Sequence, residues 1–416
     1  MQVSVQFDSQ ANKFYMMCNK TYHNVSKENA IDSLETGSQK DRSFDVQIIE
    51  GPEGISGFDE HWDDLFIRAV DAPPYLSRAW ASTFIQEGRI RGNPLFILVW
   101  YRTRLVALFP LAVRKYLNVK IAAPIGTGEG AYLGLLLDPN YHSVVEHIVN
   151  LITSKRIFDV YYSEDLSSED VATNDLLDRL TKKGYSCRKV LRSPCYWIRL
   201  GCSFDEYLER KIPKSKRRSK LRYKERRLFK SADVKVVRYA GKDITPEVNR
   251  RAATVQLESW IKRRGGAVLD RPFFQKLLAN MSEAEMGHVW LMTIDGQDAA
   301  MVYSFVAHNQ LHFYWTAFKL KYESSLSVGQ VLIMQVVRDA CAEGIQSFDF
   351  IHGEADYKRF WATDCYHVDR VVVSRGFLGR SIAMSYYVVW QLARIEFLKL
   401  FYRKVRLILQ TDKKRP

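Results

Sequence analysis

Three short segments in the second half of the chain hold residue types that could do chemistry. The first is SFDFIHGEADYKRFW, residues 347–361. An apolar run carries Asp349 into a buried setting and ends at His352-Gly353, after which Tyr357, Lys358 and Trp361 fall on the next helical turns. Ionisable groups at the end of a buried strand stand where a cleft opens, and burial moves their pKa values toward the range of acid–base work. Residues two apart on a strand share a face, so Asp349 and His352 can serve one cleft only if the chain bends near Ile351; Gly353 permits that bend. His352, with an ordinary pKa of about 6.5, is the expected general base, and Asp349 the group that orients the site.

The second segment, ESSLSVGQVL at 323–332, joins a strand ending near Phe318 to a helix with apolar spacing. The backbone of Ser327, Val328, Gly329, Gln330 and Val331 would offer free N–H groups and the positive end of a helix dipole to an anion. A plain helix start with Ser327 as the cap accounts for the same letters. The third, LESWIKRRGGAVLD at 257–270, sets Glu258 and Trp260 ahead of a basic cluster and two glycines. Glu258 is the reserve candidate for the base; basic residues followed by glycine also describe an ordinary helix C-cap.

The elements that must position these groups can be read in outline. DVQIIE reads as a strand from Asp45, and GFDEHWDDLFIRAV and SRAWASTFIQEG have helical spacing. PLFILVWY and RLVALFPLAVRK, split at Arg102-Thr103, read as paired strands, and a helix across HSVVEHIVNLITSKR leads to the run IFDVYYSE. The second half repeats the order. HVWLMTIDGQDAAMVYSFVAH is a hairpin turning at Asp295-Gly296, QLHFYWTAF is a strand, and a helix across VGQVLIMQVVRDACAEG precedes SFDFIHGE. A shared order with a period of about 190 residues argues for two duplicated lobes, although hairpin–helix–strand also recurs by chance.

A chain of 416 residues accommodates two cores of roughly 150–200 residues each. Its 47% hydrophobic and 26% charged residues exclude a disordered chain. The net charge of +14 is local. Arg210 to Lys230 holds twelve Lys/Arg against Glu225 alone, and the segment after Arg375 holds nine against Glu396 and Asp412. The first run reads as a helix with a solvated face or as a contact for an anionic partner: a donor's phosphates, a lipid-linked glycan, a membrane surface or tRNA. The tail is expected to pack on the second lobe up to about Leu398. Beyond that, Lys399, Arg403, Lys404 and Arg406 beside Phe397, Leu400 and Tyr402 suit an anionic membrane. Six cysteines without a C-x-x-C pair or a zinc-type Cys/His spacing predict no metal site. A start with no signal-peptide pattern points to reduced thiols and a cytoplasmic protein, peripheral on the inner face of the membrane if the tail binds there. No run of 18 apolar residues marks a span.

The expected organisation is a flexible extension over 1–43, a first lobe over 44–200, a basic connecting helix region over 201–243, a second, catalytic lobe over 244–375, and a basic amphipathic helix over 376–416. From about Asp45 to Val373, the segments PYLSRAWASTF, LVALFPLAV, FDEYLERKIPKSKRRSKLRYKERRL, LESWIKRRGG, TIDGQDAAMVYSF, HFYWTAF, SVGQVL and FDFIHGEADYKRFW stand in an order that resembles the GNAT acyltransferase superfamily in tandem form. More closely they resemble the acetyltransferases of cellulose biosynthesis (CelD-like), which are related to FemAB-type aminoacyl transferases. The resemblance implies an α+β fold of two tandem GNAT-like lobes, each a mixed sheet flanked by helices. It also implies no permanent cofactor, acetyl-CoA or another acyl-CoA as co-substrate, and a sugar or polysaccharide-precursor acceptor. Ser327 to Val331 would then hold the donor's pyrophosphate, and the strand from Tyr314 would run beside the pantetheine arm. Asp349 or His352 would take the acceptor's proton, and Trp260, Tyr357, Lys358 and Trp361 would contact substrate. SVGQ is poorer in glycine than the usual GNAT phosphate loop and lacks the basic residue ahead of it. Two other functions compete: aminoacyl transfer from tRNA, against which the absence of sustained heptads counts, and nucleic-acid binding without catalysis through 210–230, which leaves the cluster from Asp349 to Trp361 without a role.

Overall fold

The computed structural model describes residues 43–263, 266–322 and 327–392. The extension ahead of residue 43 and the basic cluster from Lys399 onward lie outside the described residues. The first half runs β1 (Phe44–Glu50), α1 (Asp59–Arg68), α2 (Arg78–Gln86), β2 (Asn93–Tyr101), β3 (Arg104–Tyr116), β4 (Val119–Pro124), β5 (Leu136–Leu137), α3 (Val144–Lys155), β6 (Val160–Ser167), α4 (Val171–Lys182) and β7 (Ser186–Arg199). Helices α5 (Phe204–Lys211) and α6 (Ser215–Ser231) connect to the second half. There follow β8 (Val234–Ala240), α7 (Pro246–Leu257), α8 (Trp260–Arg263), α9 (Pro272–Glu283), β9 (Gly287–Ile294), β10 (Gln297–Ala307), β11 (Gln310–Phe318), α10 (Val328–Ala342), β12 (Ser347–His352), α11 (Asp356–Trp361), β13 (Asp364–Ser374) and α12 (Phe377–Leu392).

The reasons for these elements are local. Ser77 accepts the Trp80 N–H and so caps α2. Ser203 and Glu206 form a reciprocal capping box at α5. Asp295 and Gly296 both take positive φ, as a two-residue hairpin turn between β9 and β10 requires. The apolar runs of β2 and β3 face two cores at once, as buried strands must. Phe96, Leu98, Leu105 and Leu108 pack with Trp62 and Leu65 of α1, whereas Ile97, Val99, Val106 and Phe109 pack with Val145 and Ile148 of α3.

Each half contains an antiparallel hairpin, a helix and a strand that returns parallel to the hairpin's far strand. β4 pairs with β6 at Ile121–Val160, and β11 pairs with β12 at Gln310–Ser347. The repeat expected from sequence is therefore present, with Val160 and Ser347 in equivalent places. The two halves do not keep separate sheets, however. All strands form one sheet in the order β1-β2-β3-β4-β6-β13-β7-β12-β11-β10-β9-β8, with β5 on β3. The last strand of each half is exchanged: β13 lies beside β6, and β7 lies beside β12. The extra length of β7 and β13, paired from Asp364–Trp197 to Ser374–Ser186, supplies the seam. One core also crosses it, where Trp80 and Phe84 of α2 meet Phe305 and Phe273. Helix α12 covers the seam with Ala383 and Trp390, and Tyr386 stacks on Tyr162 at 4.9 Å. The helix packs, but not on the second lobe as the sequence suggested: it lies on Val119, Ile121 and Ala123 of β4, Val160 and Tyr162 of β6, Val190 of β7 and Val372 of the exchanged β13, and its other side leaves Met384, Val388 and Val389 exposed. Among the described residues, no helix is long and apolar enough to cross a membrane.

Candidate active site

The second half opens where β11 and β12 part. They pair over Gln310–His312 and Ser347–Asp349 only. Beyond His312, β11 stays with β10 and bulges at Tyr314, the residue without a partner between the pairs Ser304–Phe313 and Tyr303–Trp315. Beyond Asp349, β12 turns: Ile351 has φ +50° and Gly353 φ +115°. A β-branched residue in that region is strained, and such strain persists only where the surroundings over-determine it. Here the Ile351 N–H donates to Asp349 Oδ1 at 2.6 Å, and Lys358 Nζ donates to the carbonyls of Ile351 (3.4 Å) and His352 (2.9 Å).

Asp349 is the buried end of this turn. Besides the Ile351 amide it accepts the hydroxyls of Tyr132, at 3.3 Å, and Tyr366. Tyr132 comes from the first half and Tyr366 from the exchanged strand β13, so the carboxylate is held from three parts of the chain. Burial, only partly offset by these donors and by Lys358, raises its pKa from 3.8 to about 6. Burial lowers Lys358 from 10.5 to about 8. It also pushes up the thiol of Cys195, which sits between Tyr132 and Lys358, so that the sulfur is not a ready nucleophile. The walls are aromatic. Tyr75 packs edge-on to Trp80 at 4.9 Å and to His312 at 5.6 Å, and Tyr314 donates to the Glu129 carbonyl at 2.6 Å. The Tyr75 hydroxyl, Trp80 Nε1 and both His312 nitrogens are buried without a hydrogen-bond partner. His312 is held neutral by burial, its pKa lowered to about 3.

The other expected residues occupy varied positions. His352 does follow the bend, but its ring turns away from Asp349 toward Asp165, with Nδ1 3.5 Å from the carboxylate and no hydrogen bond formed. Burial, with Arg192, Lys358 and Arg370 nearby, lowers its pKa to about 3. Tyr357 is half-buried against Phe313 and Phe350, and Trp361 is fully enclosed in the second core with its carbonyl accepting Tyr207. Glu258 caps α7 at the far end of β11, where it pairs with Lys319 at 3.0 Å. Lys319 lies seven residues beyond His312, about 20 Å along a strand, so Glu258 and the neighbouring Trp260 are not brought to Asp349.

Ser327 does not cap α10 with its side chain; it sits at φ +53°, and the helix begins at Val328. Gly329 lies against Phe318, where a Cβ would meet the ring at 3.0 Å. Gln330 accepts Lys224 Nζ of the basic helix α6 at 2.7 Å. Glu225 of the same helix accepts from Gln335 and Arg338 of α10. The 210–230 run is thus a docked helix, with Leu221 and Leu228 buried and the positive charges facing outward. Cys187, Cys195, Cys202 and Cys341 are free, and burial raises Cys341 to about 11. Among the described residues no cluster of His, Cys, Asp and Glu could hold a metal ion.

Tyr132, Tyr366, Cys195, Tyr75 and His312 were not anticipated. The signal for the first was the glycine-rich stretch Gly126–Gly134, whose Gly126 and Gly128 take positive φ and let the loop reach Trp80 and Tyr314. The others carry no local signal.

Residues 215–359 match the family model of an acetyltransferase (GNAT) domain. Comparison with curated proteins finds no match. Among solved structures, FemX is similar over 75% of this chain and 95% of its own, at 11% identity and TM-score 0.55. L-PGS from Bacillus licheniformis is similar over 67% and 85%, at 13% identity and TM-score 0.44. A tandem GNAT protein from the clavulanic acid biosynthesis pathway is similar over 80% and 100%, at 11% identity and TM-score 0.42. Residues 215–359 are thus similar to an acetyltransferase (GNAT) domain, set in a two-lobed mixed α/β fold that is similar to that of FemX.

Proposed function

We propose that this protein transfers an acyl group, acetyl in the simplest case, from a coenzyme A thioester to an amine or hydroxyl acceptor, with Asp349 as the general base. The observation that carries the reading is the position of Asp349. It stands at the parting of β11 and β12, held by Tyr132, Tyr366 and the Ile351 amide, with a pKa near 6. A carboxylate of that basicity is ionised at neutral pH yet basic enough to accept a proton as an acceptor attacks. The new bond forms between the acceptor's nitrogen or oxygen and the acyl carbon; the carbon–sulfur bond breaks, and the proton taken by Asp349 ends on the departing sulfur. Backbone N–H groups freed by the Tyr314 bulge would polarise the thioester carbonyl, and the start of α10, at Ser327 to Val331, would take the pyrophosphate. His352, neutral and turned toward Asp165, supports the site through its backbone carbonyl and is not the base. This reverses the order expected from intrinsic pKa values, because burial acts oppositely on an acid and an imidazole.

The acceptor class, a sugar or polysaccharide precursor, follows from the CelD-like resemblance; attachment to the inner face of a membrane would come from the basic tail beyond Leu398. Aminoacyl transfer from tRNA is the second reading, favoured by the cationic outer face of α6. Single-turnover assays with acetyl-CoA and a panel of amino sugars test the first. Thiol release that depends on acceptor and is lost in Asp349→Asn supports it; transfer from aminoacyl-tRNA alone overturns it.

A further inference from the structure

Helix α6 has two faces. Its inner face buries Leu221 and Leu228 and docks on α10 through Glu225. From Lys224, which touches Gln330 at the start of α10, a continuous band of cations runs around the helix: Lys220, Arg227, Lys216, Lys230 and Arg226. Residues three, four and seven apart lie on one face, and these five fall around Tyr223. Among the described residues the band has no carboxylate to answer it. Arg218 and Arg222, on other sides of the helix, pair with Glu209 and Asp205, but none of the five around Tyr223 has an ion-pair partner among the described residues. Tyr223 itself is 57% exposed, and it lines a shallow groove with Arg226, Arg227, Lys230 and Ser231. A flat aromatic ring among unpaired cations is the chemistry that holds a nucleotide, base on ring and phosphate on guanidinium.

We infer that this face of α6 seats the phosphoadenosine end of the acyl donor. The 3′-phosphate would lie on Arg227 and Lys230, and the adenine on Tyr223. This rests on the acyl-CoA reading above and extends it. It also explains how a chain whose SVGQ loop lacks a basic residue ahead of it meets the donor's negative charge: the cation is Lys224, delivered from a separate helix. The pyrophosphate at the start of α10 and the adenosine on α6 would then lie on either side of the Lys224–Gln330 contact.

Calorimetry on the full chain with two probes, coenzyme A and 3′-dephospho-coenzyme A, tests it. The wild-type protein should bind coenzyme A at least tenfold more tightly. Arg227→Glu with Lys230→Glu should weaken coenzyme A at least tenfold, leave the dephospho form nearly unchanged and keep the melting temperature, because both side chains are exposed. Tyr223→Ala should weaken both probes. Equal wild-type affinity for the two probes, or variants that bind coenzyme A normally, would overturn this inference and leave the acyl-CoA reading standing. No wild-type binding of either probe would overturn both. A single-stranded RNA oligomer that binds the wild type and is lost in the double variant, while coenzyme A binding is unaffected, would overturn it in favour of a polyanion surface.

Discussion

Replacing Asp349 by Asn changes a charge and almost nothing in shape. The Ile351 N–H keeps an acceptor, and the hydroxyls of Tyr132 and Tyr366 can reverse to accept from the new amide. What disappears is a carboxylate whose pKa burial has raised from 3.8 to about 6. At about 1.4 kcal/mol per unit, ionising it in the folded protein costs about 3 kcal/mol more than in the unfolded chain. The sign follows from linkage: the folded state binds the proton more tightly, so wild-type stability falls as pH rises from about 4 to about 6 and is flat above. Asp349→Asn lacks that loss. Its urea midpoint should therefore gain on the wild type between pH 3 and pH 7.5, by an amount corresponding to about 3 kcal/mol. Loss of a general base lowers kcat by about a hundredfold to ten-thousandfold, with donor affinity unchanged. A gap between variant and wild type that does not change with pH would refute the raised pKa. A kcat within a few-fold of wild type would refute the role.

His352→Gln should keep kcat within about tenfold, since its ring makes no hydrogen bond and its carbonyl remains to receive Lys358; a loss matching Asp349→Asn would return the base to His352. The pH profile of kcat/KM should rise with unit slope to a plateau above about pH 6, and a midpoint near 3 or above 8 would point to another base. Gly329→Glu sets a carboxylate at the start of α10 and should abolish coenzyme A binding in calorimetry. Gly329→Ala, whose methyl only presses on Phe318, separates charge from packing, and a Glu variant that is folded and binds normally would show the site is misplaced. Truncation after Leu398 should reduce sedimentation with anionic vesicles in a salt-dependent manner, about 1 kcal/mol per basic residue removed, without lowering kcat. Unchanged sedimentation would remove the tail from membrane attachment.

Much of the scaffold was legible because its signals are local. QLHFYWTAF is β11 to the residue, Asp295-Gly296 turns the predicted hairpin, and the 210–230 run contains the predicted helix. The exchange of β7 and β13 was not legible, because it depends on which strand pairs with which and not on what any strand looks like. That exchange decides the site: it brings Tyr366 and Cys195 to Asp349, residues otherwise ordinary in their own strands. The roles of Asp349 and His352 were assigned from intrinsic pKa values. Burial moves one up and the other down, and burial is a property of the assembled core.

Native mass spectrometry of the protein as purified, followed by titration with acetyl-CoA, bears most directly on the proposed chemistry. A complex of one protein with one acetyl-CoA at micromolar ligand, converted to bound coenzyme A when an acceptor is added and left unconverted in Asp349→Asn, is the predicted result. A protein that ignores millimolar acetyl-CoA and instead holds RNA would contradict the account at its centre.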